Sequence, residues 1–287
     1  MADVYQLITD RIIELLEQGT VPWHKPWRSA EHAPQNLISR KAYRGINAFL
    51  LGCLGYESPY WLTFKQAKQL GGVVRKGEKS VPVVFWKWLE KRDPQTDEIE
   101  RLPLLKYYRV FHVTQCDLPG AKVPVVEEPE EAEFEPILAC EQVVENMPNA
   151  PKIEIGGGRA CYAPKADVIK MPKCEVFETA EDYYATLFHE LTHATGHTTR
   201  LDRDGVRELS PFGSASYSKE ELVAEVGAAF LCGHCGIDTA TIENTAAYVD
   251  GWLKKLRGDK KLVVQAAAQA QKAADYVLGV TFKVNDE

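Results

Sequence analysis

"FHELTHATGH", residues 188–197, sets two histidines four positions apart, with a glutamate directly after the first. The surrounding stretch "ETAEDYYATLFHELTHATG" (178–196) reads as one helix, with Thr179 as N-cap, Asp182 three residues on, and Gly196 as its stop. Helix positions four apart share a face, so His189 and His193 project together, as a chelating pair must. A chain with 7 histidines meets this H-E-x-x-H spacing by chance in roughly one sequence in a hundred, so the metal reading outweighs an ordinary polar face. One divalent ion is expected here, zinc before others, because imidazole and carboxylate donors suit it.

Two imidazoles do not complete such a site. Catalytic zinc takes three protein ligands and leaves a fourth position to water. The third is sought in "SYSKEELVAEVGAAFLCGHCG" (216–236), where Ser218 can cap a helix, Glu221 completes a capping-box spacing, and Leu222, Val226 and Phe230 form an apolar stripe. Glu221 and Glu225 share a face of that helix, and Glu220 is expected in solvent. His197 does not extend the motif to three histidines, because the longer pattern needs a histidine at 199, where Thr199 stands. It is assigned a structural role, as is His234.

Glu190, beside the first ligand, is the expected general base: with zinc lowering the pKa of a water, it takes the proton as that water attacks a polarised carbonyl. The reaction class is amide hydrolysis, and Tyr162, Tyr217 and His197 are the alternatives for stabilising the oxyanion.

The 287 residues, 45% hydrophobic, suffice for one large core or two ordinary ones. No run approaches a membrane span, and the opening "MADVYQLITDRIIELLEQG" has acidic residues and helical periodicity in place of a signal peptide, so a cytoplasmic location is expected. Seven scattered cysteines read as reduced thiols; "CGHC" (232–235) lacks the second C-x-x-C that a tetrahedral site requires.

The net charge of -7 is divided unevenly: residues 1–122 sum to +5 and the remainder to -12. Between them "PVVEEPEEAEFEP" (124–136) is a proline-flanked acidic run that cannot pack a core. The expected organisation is therefore α+β in two domains, 1–125 and 137–287, joined by an acidic linker over 126–136. Helical spacing marks the first helix from Val4 to Leu16, followed by helical stretches near 45–56 and 63–71 and by two strands around a polar turn at 93–97. After the linker come a helix, a β-meander over 152–172 and the motif helix.

The basic half interleaves aromatics with cations. Trp23, Trp27 and Tyr43 stand among Lys25, Arg28, Arg40, Lys41 and Arg44, and Arg75, Lys76 and Lys79 add a glycine-flanked basic loop. Aromatic faces that stack bases, set among cations that neutralise phosphates, are what sequence-tolerant single-strand binding requires. Residue by residue, a core tryptophan or a solvated loop is the plainer reading for most of these aromatics.

The segments "PWHKPW", "SRKAYRGIN", "YWLTFKQAKQLGGVVRKGEKS" and "VFHVTQCD", together with "DYYATLFHELTHATGHTTRLDR" and "YSKEELVAEVGAAFLC", resemble the ArdC antirestriction family of conjugative plasmids over nearly the whole chain. That resemblance implies an N-terminal domain that binds single-stranded DNA, with double-stranded DNA bound more weakly, similar to the N-terminal region of TraC-type plasmid primases. It also implies a C-terminal zincin-like domain related to the Spartan and SprT proteases, a protein substrate at DNA, and protection of incoming plasmid DNA from restriction. His189 and His193 carry over as ligands, Glu190 as general base, and an acid from "EELVAE" as third ligand. Spartan-like enzymes supply a third histidine instead, so that kinship is one of architecture. By further resemblance to thermolysin-like gluzincins, Glu221 is the ligand and Glu225 orients His189, with the reverse assignment open. Three readings follow: a DNA-binding protein with a working metallopeptidase, a DNA-binding shield whose metal only holds the fold, and a soluble peptidase without a DNA role.

Overall fold

Asp3 starts the first helix by accepting from the backbone N–H groups of Tyr5 and Gln6, and α1 (Val4–Glu17) turns Ile8, Ile12, Leu15 and Leu16 into the core. The computed structural model describes residues 3–18, 21, 33–92, 99–119, 123–124, 136–207, 215–237 and 246–280. Beyond α1, the N-terminal half contains β1 (Gln35–Asn36), α2 (Ile46–Gly52), β2 (Tyr60–Thr63), α3 (Phe64–Gln69), β3 (Val73–Val74), β4 (Val81–Arg92), β5 (Ile99–His112) and β6 (Cys116–Asp117). One sheet has the order β1-β2-β5-β4, with β1 parallel to β2 and the other pairs antiparallel; β3 and β6 form a separate ribbon. α3 carries a full capping box between Thr63 and Gln66.

The C-terminal half runs α4 (Pro136–Glu145), β7 (Lys152–Ile155), β8 (Cys161–Ala163), β9 (Val168–Met171), α5 (Ala180–Ala194), α6 (Asp204–Arg207), α7 (Ala215–Cys235), α8 (Ala246–Gly258) and α9 (Leu262–Val277). Its three strands are not a meander. β9 is central, antiparallel to β8 but parallel to β7. A turn at 164–167 joins β8 to β9 as a hairpin, whereas Gly156 (φ 141) and Gly157 (φ 85) carry the chain from β7 past β9. Those φ values are open to glycine and strained for other residues.

One local expectation needs correcting, and another gains a different physical reason. α7 begins at Ala215, so Ser218 is not its cap but a buried residue in its first turns. Gly196 does follow the end of α5, yet it is not in a left-handed conformation: a Cβ there would lie 2.5 Å from Val206 Cγ2, so close packing requires glycine.

Residues 126–135 of the expected linker lie outside the described residues and Pro136 opens α4, and helices from both sides of the expected cut meet in one core. Ile8, Ile12 and Leu16 of α1 share a buried cluster with Val226 of α7, Leu256 of α8 and Val263 of α9. Polar ties cross the same seam: Thr9 Oγ1 donates to Lys260 O at 2.8 Å, the Gly45 N–H to Gln271 Oε1 at 2.9 Å, and Arg257 pairs with Glu17 at 2.6 Å.

Candidate metal centre and nucleic-acid surface

α5 and α7 cross at unusually close range. A Cβ on Gly227 would stand 2.5 Å from Thr192 Cγ2, so only glycine lets the helices approach this far. Within a turn of Thr192 on α5, and between one and two turns before Gly227 on α7, the helices face each other with His189 and His193 opposite Glu221. The two Nε2 atoms are 3.1 Å apart, and each lies 3.7 Å from a carboxylate oxygen of Glu221. Among the described residues this is the group of three whose ligand atoms converge, all within 4.8 Å of one another. Ligand arms of about 2.0–2.1 Å at tetrahedral angles would set donor atoms about 3.3 Å apart, so the observed spacings fit one divalent cation.

The electrostatics agree with metal-ready donors. Burial, reinforced by the neighbouring His193, pushes the His189 pKa down to about 3, which keeps the ring neutral with a lone pair to donate. For His193 burial also pulls downward, but Glu220, Glu221 and Glu190 outweigh it and the net direction is upward.

The acid expected in solvent is the one that holds a histidine. Glu220 is 7% exposed, and its Oε1 lies 3.3 Å from His193 Nδ1. Arg203 grips the same carboxylate with Nε at 3.1 Å and a terminal nitrogen at 2.6 Å, and also bonds Thr195 Oγ1 at 2.6 Å and Thr192 O at 2.7 Å. Burial raises the Glu220 pKa, yet His193 and Arg203 outweigh it and keep the carboxyl below its ordinary value. Glu225, expected against His189, instead accepts from the Tyr248 hydroxyl of α8, and burial pushes its carboxyl up to about 8. Helix geometry explains the exchange: Glu220, one residue before Glu221, is turned toward His193, while Glu225, a turn beyond, is turned toward α8. "ELTHATGHTTRLDR" contains Arg203, and a buried arginine needs an acid, which was the signal available in the sequence.

Glu190 is 9% exposed and its Oε2 accepts from the Tyr162 backbone N–H at 2.7 Å. Burial raises its pKa, opposed by His193, that N–H and Arg159. A cavity of about 410 Å³ opens here, lined by Glu190, the triad, Tyr217 and Arg159 among others. Of the three oxyanion candidates, Tyr162 and Tyr217 line this cavity, and Tyr217 hydrogen-bonds Glu221. The Tyr162 hydroxyl donates to Asp167 at 2.8 Å, itself ion-paired with Arg200, and His197 meets Thr199 Oγ1 at 2.9 Å outside the cavity wall. Cys232 and Cys235 are buried free thiols, and Cys235 is hydrogen-bonded to Cys140.

In the N-terminal half, Trp23, Lys25, Trp27 and Arg28 lie outside the described residues. The remaining residues expected to bind nucleic acid divide. Lys41, Lys76 and Lys79 are exposed, and Arg40 lies over the Tyr60 ring at 4.7 Å. Others have structural partners: Tyr43 packs against the Trp61 cluster, Arg44 pairs with Asp275, and Arg75 pairs with Glu78 at 3.1 Å and bonds Thr114 O. Tyr56, Phe64, Phe85 (40% exposed) and Tyr108 (38%) face solvent, and the last two form a pair with ring centroids 5.6 Å apart. Lys106 is the cross-strand partner of Phe85 and is exposed as well. Alternation along β4 and β5 was the signal that would have found them.

A zincin-like metal site thus shares one core with a mixed sheet-and-helix half that bears the exposed cations. The model of zincin-like metallopeptidases matches residues 139–269, and that of the N-terminal domain of the anti-restriction factor ArdC matches residues 2–111. The crystal structure of the antirestriction protein ArdC from plasmid R388, metal-free, is 41% identical, with a TM-score of 0.73 over 96% of each chain; its Mn(II)-bound form is 40% identical, with a TM-score of 0.74 over 96% of this chain and 97% of that one. The chain belongs to the ArdC antirestriction family. It is also 36% identical to a DNA primase TraC of Escherichia coli over 96% of this chain, but spans only 20% of that primase's length. The uncharacterized protein y4eC of Sinorhizobium fredii (strain NBRC 101917 / NGR234) is 34% identical over 96% of this chain and 91% of its own. Among the described residues no helix is long and apolar enough to cross a membrane.

Proposed function

We propose that this chain binds single-stranded DNA through its N-terminal half, hydrolyses polypeptide at the His189–His193–Glu221 centre, and so protects incoming conjugative DNA from restriction in the cytoplasm. The observation that carries the enzymatic part is Glu190. A metal that only held the fold would need ligands, not a buried carboxylate fixed by a backbone N–H at 2.7 Å on the wall of an open cavity.

His189, His193 and Glu221 would hold the ion, with Glu220 and Arg203 orienting His193. Zinc is the proposed occupant; manganese is the ion named for the solved relative. A divalent ion there supplies Lewis acidity and makes a water acidic near neutral pH. The chain's own residues do the rest. Burial makes Glu190 a better base than a solvated carboxylate, and the Tyr162 N–H fixes one of its oxygens while the other remains for the proton. Tyr217, on the cavity wall, is the side-chain donor available to a developing oxyanion.

The DNA part is supported by the exposed Lys41, Lys76 and Lys79, by the exposed Lys106 across from Phe85 of the Phe85–Tyr108 pair, and by the relatives named as DNA primases. The test is Glu190→Gln, assayed for metal content, single-strand affinity, cleavage of an unfolded protein, and plasmid protection in a restricting host. Metal and DNA binding should stay near wild type while cleavage and protection are lost. Protection that survives without cleavage would favour the DNA-binding shield.

A further inference from the structure

The cavity beside the triad carries a cation that this mechanism does not use. Arg159 is the only arginine or lysine among the described residues that line it. Nearby arginines are committed, Arg203 to Glu220 and Arg200 to Asp167, whereas Arg159 is exposed and makes no ion pair or hydrogen bond among the described residues. It shares the cavity wall with Glu190 and Tyr217, which places it beside the site.

The backbone explains how it is presented. β8 is an edge strand: β9 pairs along one side, and on the other side the Tyr162 N–H points at Glu190. An extended polypeptide can add to such an edge through its own backbone groups, which a nucleic acid lacks. Arg159 precedes Tyr162 by three residues, about 10 Å of extended chain. The left-handed turn at Gly156 and Gly157 leads directly into it and leaves it at the rim of the cavity, not within a paired strand.

We propose that Arg159 is a specificity residue of this site, receiving a carboxylate of a polypeptide laid along β8 within about three residues of the bond to be cut. A guanidinium matches a carboxylate with two parallel hydrogen bonds, which gives direction as well as attraction. The inference rests on the peptidase reading above, and it specifies the substrate class: acidic side chains, or a free C-terminus, close to the scissile bond.

The test uses the full-length, zinc-loaded protein and fluorescent peptides in matched pairs. One arm exchanges Glu for Gln at each of the three positions on either side of the centre, and the other compares a free C-terminal acid with its amide. Cleavage sites and rates are read by mass spectrometry, and binding by anisotropy. Wild type should favour one acidic member by about tenfold, the scale of a hydrogen-bonded charge pair. Arg159→Gln should bring that ratio to about one, Arg159→Lys should restore part of it, and Arg159→Glu should favour a lysine at the same position. Equal handling of all pairs by wild type, a preference that survives Arg159→Gln, or displacement of the peptide by oligo-dT through Arg159 would each overturn the proposal. If wild type cuts nothing, the peptidase reading fails by itself, and the binding ratio still decides the role of Arg159; absence of any binding decides against it.

Discussion

Replacing Arg203 with methionine should cost more stability than any other single change near the metal centre. The guanidinium makes four hydrogen bonds, two to Glu220 and one each to Thr195 and the Thr192 carbonyl, at 2.6–3.1 Å. Its removal leaves a 7% exposed carboxylate facing only His193, and stranding one member of a buried ion pair costs about 3–5 kcal/mol. For a chain of this length that lowers the melting midpoint by about 10 °C. Glu220→Gln differs in kind. It keeps the shape and an acceptor for His193 Nδ1, so it should cost less stability, while loss of the charge that orients the ring should weaken metal binding by about 10 to 100-fold. The double variant Arg203→Met/Glu220→Gln should regain much of the stability lost in Arg203→Met, but not the metal affinity. Thermal melts in chelator isolate the first effect, and competition with a chromogenic chelator measures the second. If Glu220→Gln keeps metal affinity within about twofold of wild type while Glu225→Gln loses about tenfold, the orienting role belongs to Glu225 and the argument is wrong.

Gly227→Ala should destabilise the protein by about 1–3 kcal/mol despite the better helix propensity of alanine, because the new Cβ meets the stiff, buried Thr192; adding Thr192→Ala should recover part of the loss in urea denaturation. Phe85→Ala and Tyr108→Ala should each weaken oligo-dT binding by about 1–3 kcal/mol in fluorescence titration if bases stack there, and unchanged affinity would return the pair to ordinary surface. Glu225 gives a pH dependence. Its folded pKa, pushed up to about 8 by burial, exceeds its ordinary 4.5, so the folded state binds a proton that the unfolded state releases. In metal-free protein its contribution should be complete below about pH 4.5 and be lost as pH rises through about 8; Glu225→Gln should flatten that decline in chelator-treated urea melts.

The parts legible in the sequence are those governed by local periodicity. The i, i+4 spacing of His189 and His193, the Thr179 cap and the apolar face of α1 are each fixed within a few residues. Strand order was not legible, because short strands such as β7 and β8 look alike whether they pair with β9 in parallel or antiparallel. The partners of Glu220 and Glu225 were not legible for a related reason. Glu220, Glu221 and Glu225 all lie on one helix, and what separates them is the surface each meets: Arg203 and His193, the paired imidazoles, or Tyr248. Those partners lie 17 to 32 residues away along the chain, beyond any spacing rule. For Arg44 and Arg75, composition cannot distinguish a cation that waits for phosphate from one already bonded inside the protein.

The matches at 2–111 and 139–269 mark two units of sequence, but the packing does not give them separate interiors. Ile8, Ile12 and Leu16 are at most 1% exposed and belong to the cluster that also contains residues of α7, α8 and α9. Burying three such side chains is worth about 5–9 kcal/mol as an upper bound, comparable with the whole net stability of a typical domain. α9 is the shared element. It packs along α7, which carries Glu221, and it also receives Arg44 and the Gly45 N–H from the half that bears the exposed lysines. The helix that sets the third ligand is therefore braced by the helix that anchors the cationic half. On the function proposed above, division of labour between the halves is then a matter of which surface each presents, DNA on one and polypeptide on the other, while the stability that holds both surfaces in place is common to the whole chain.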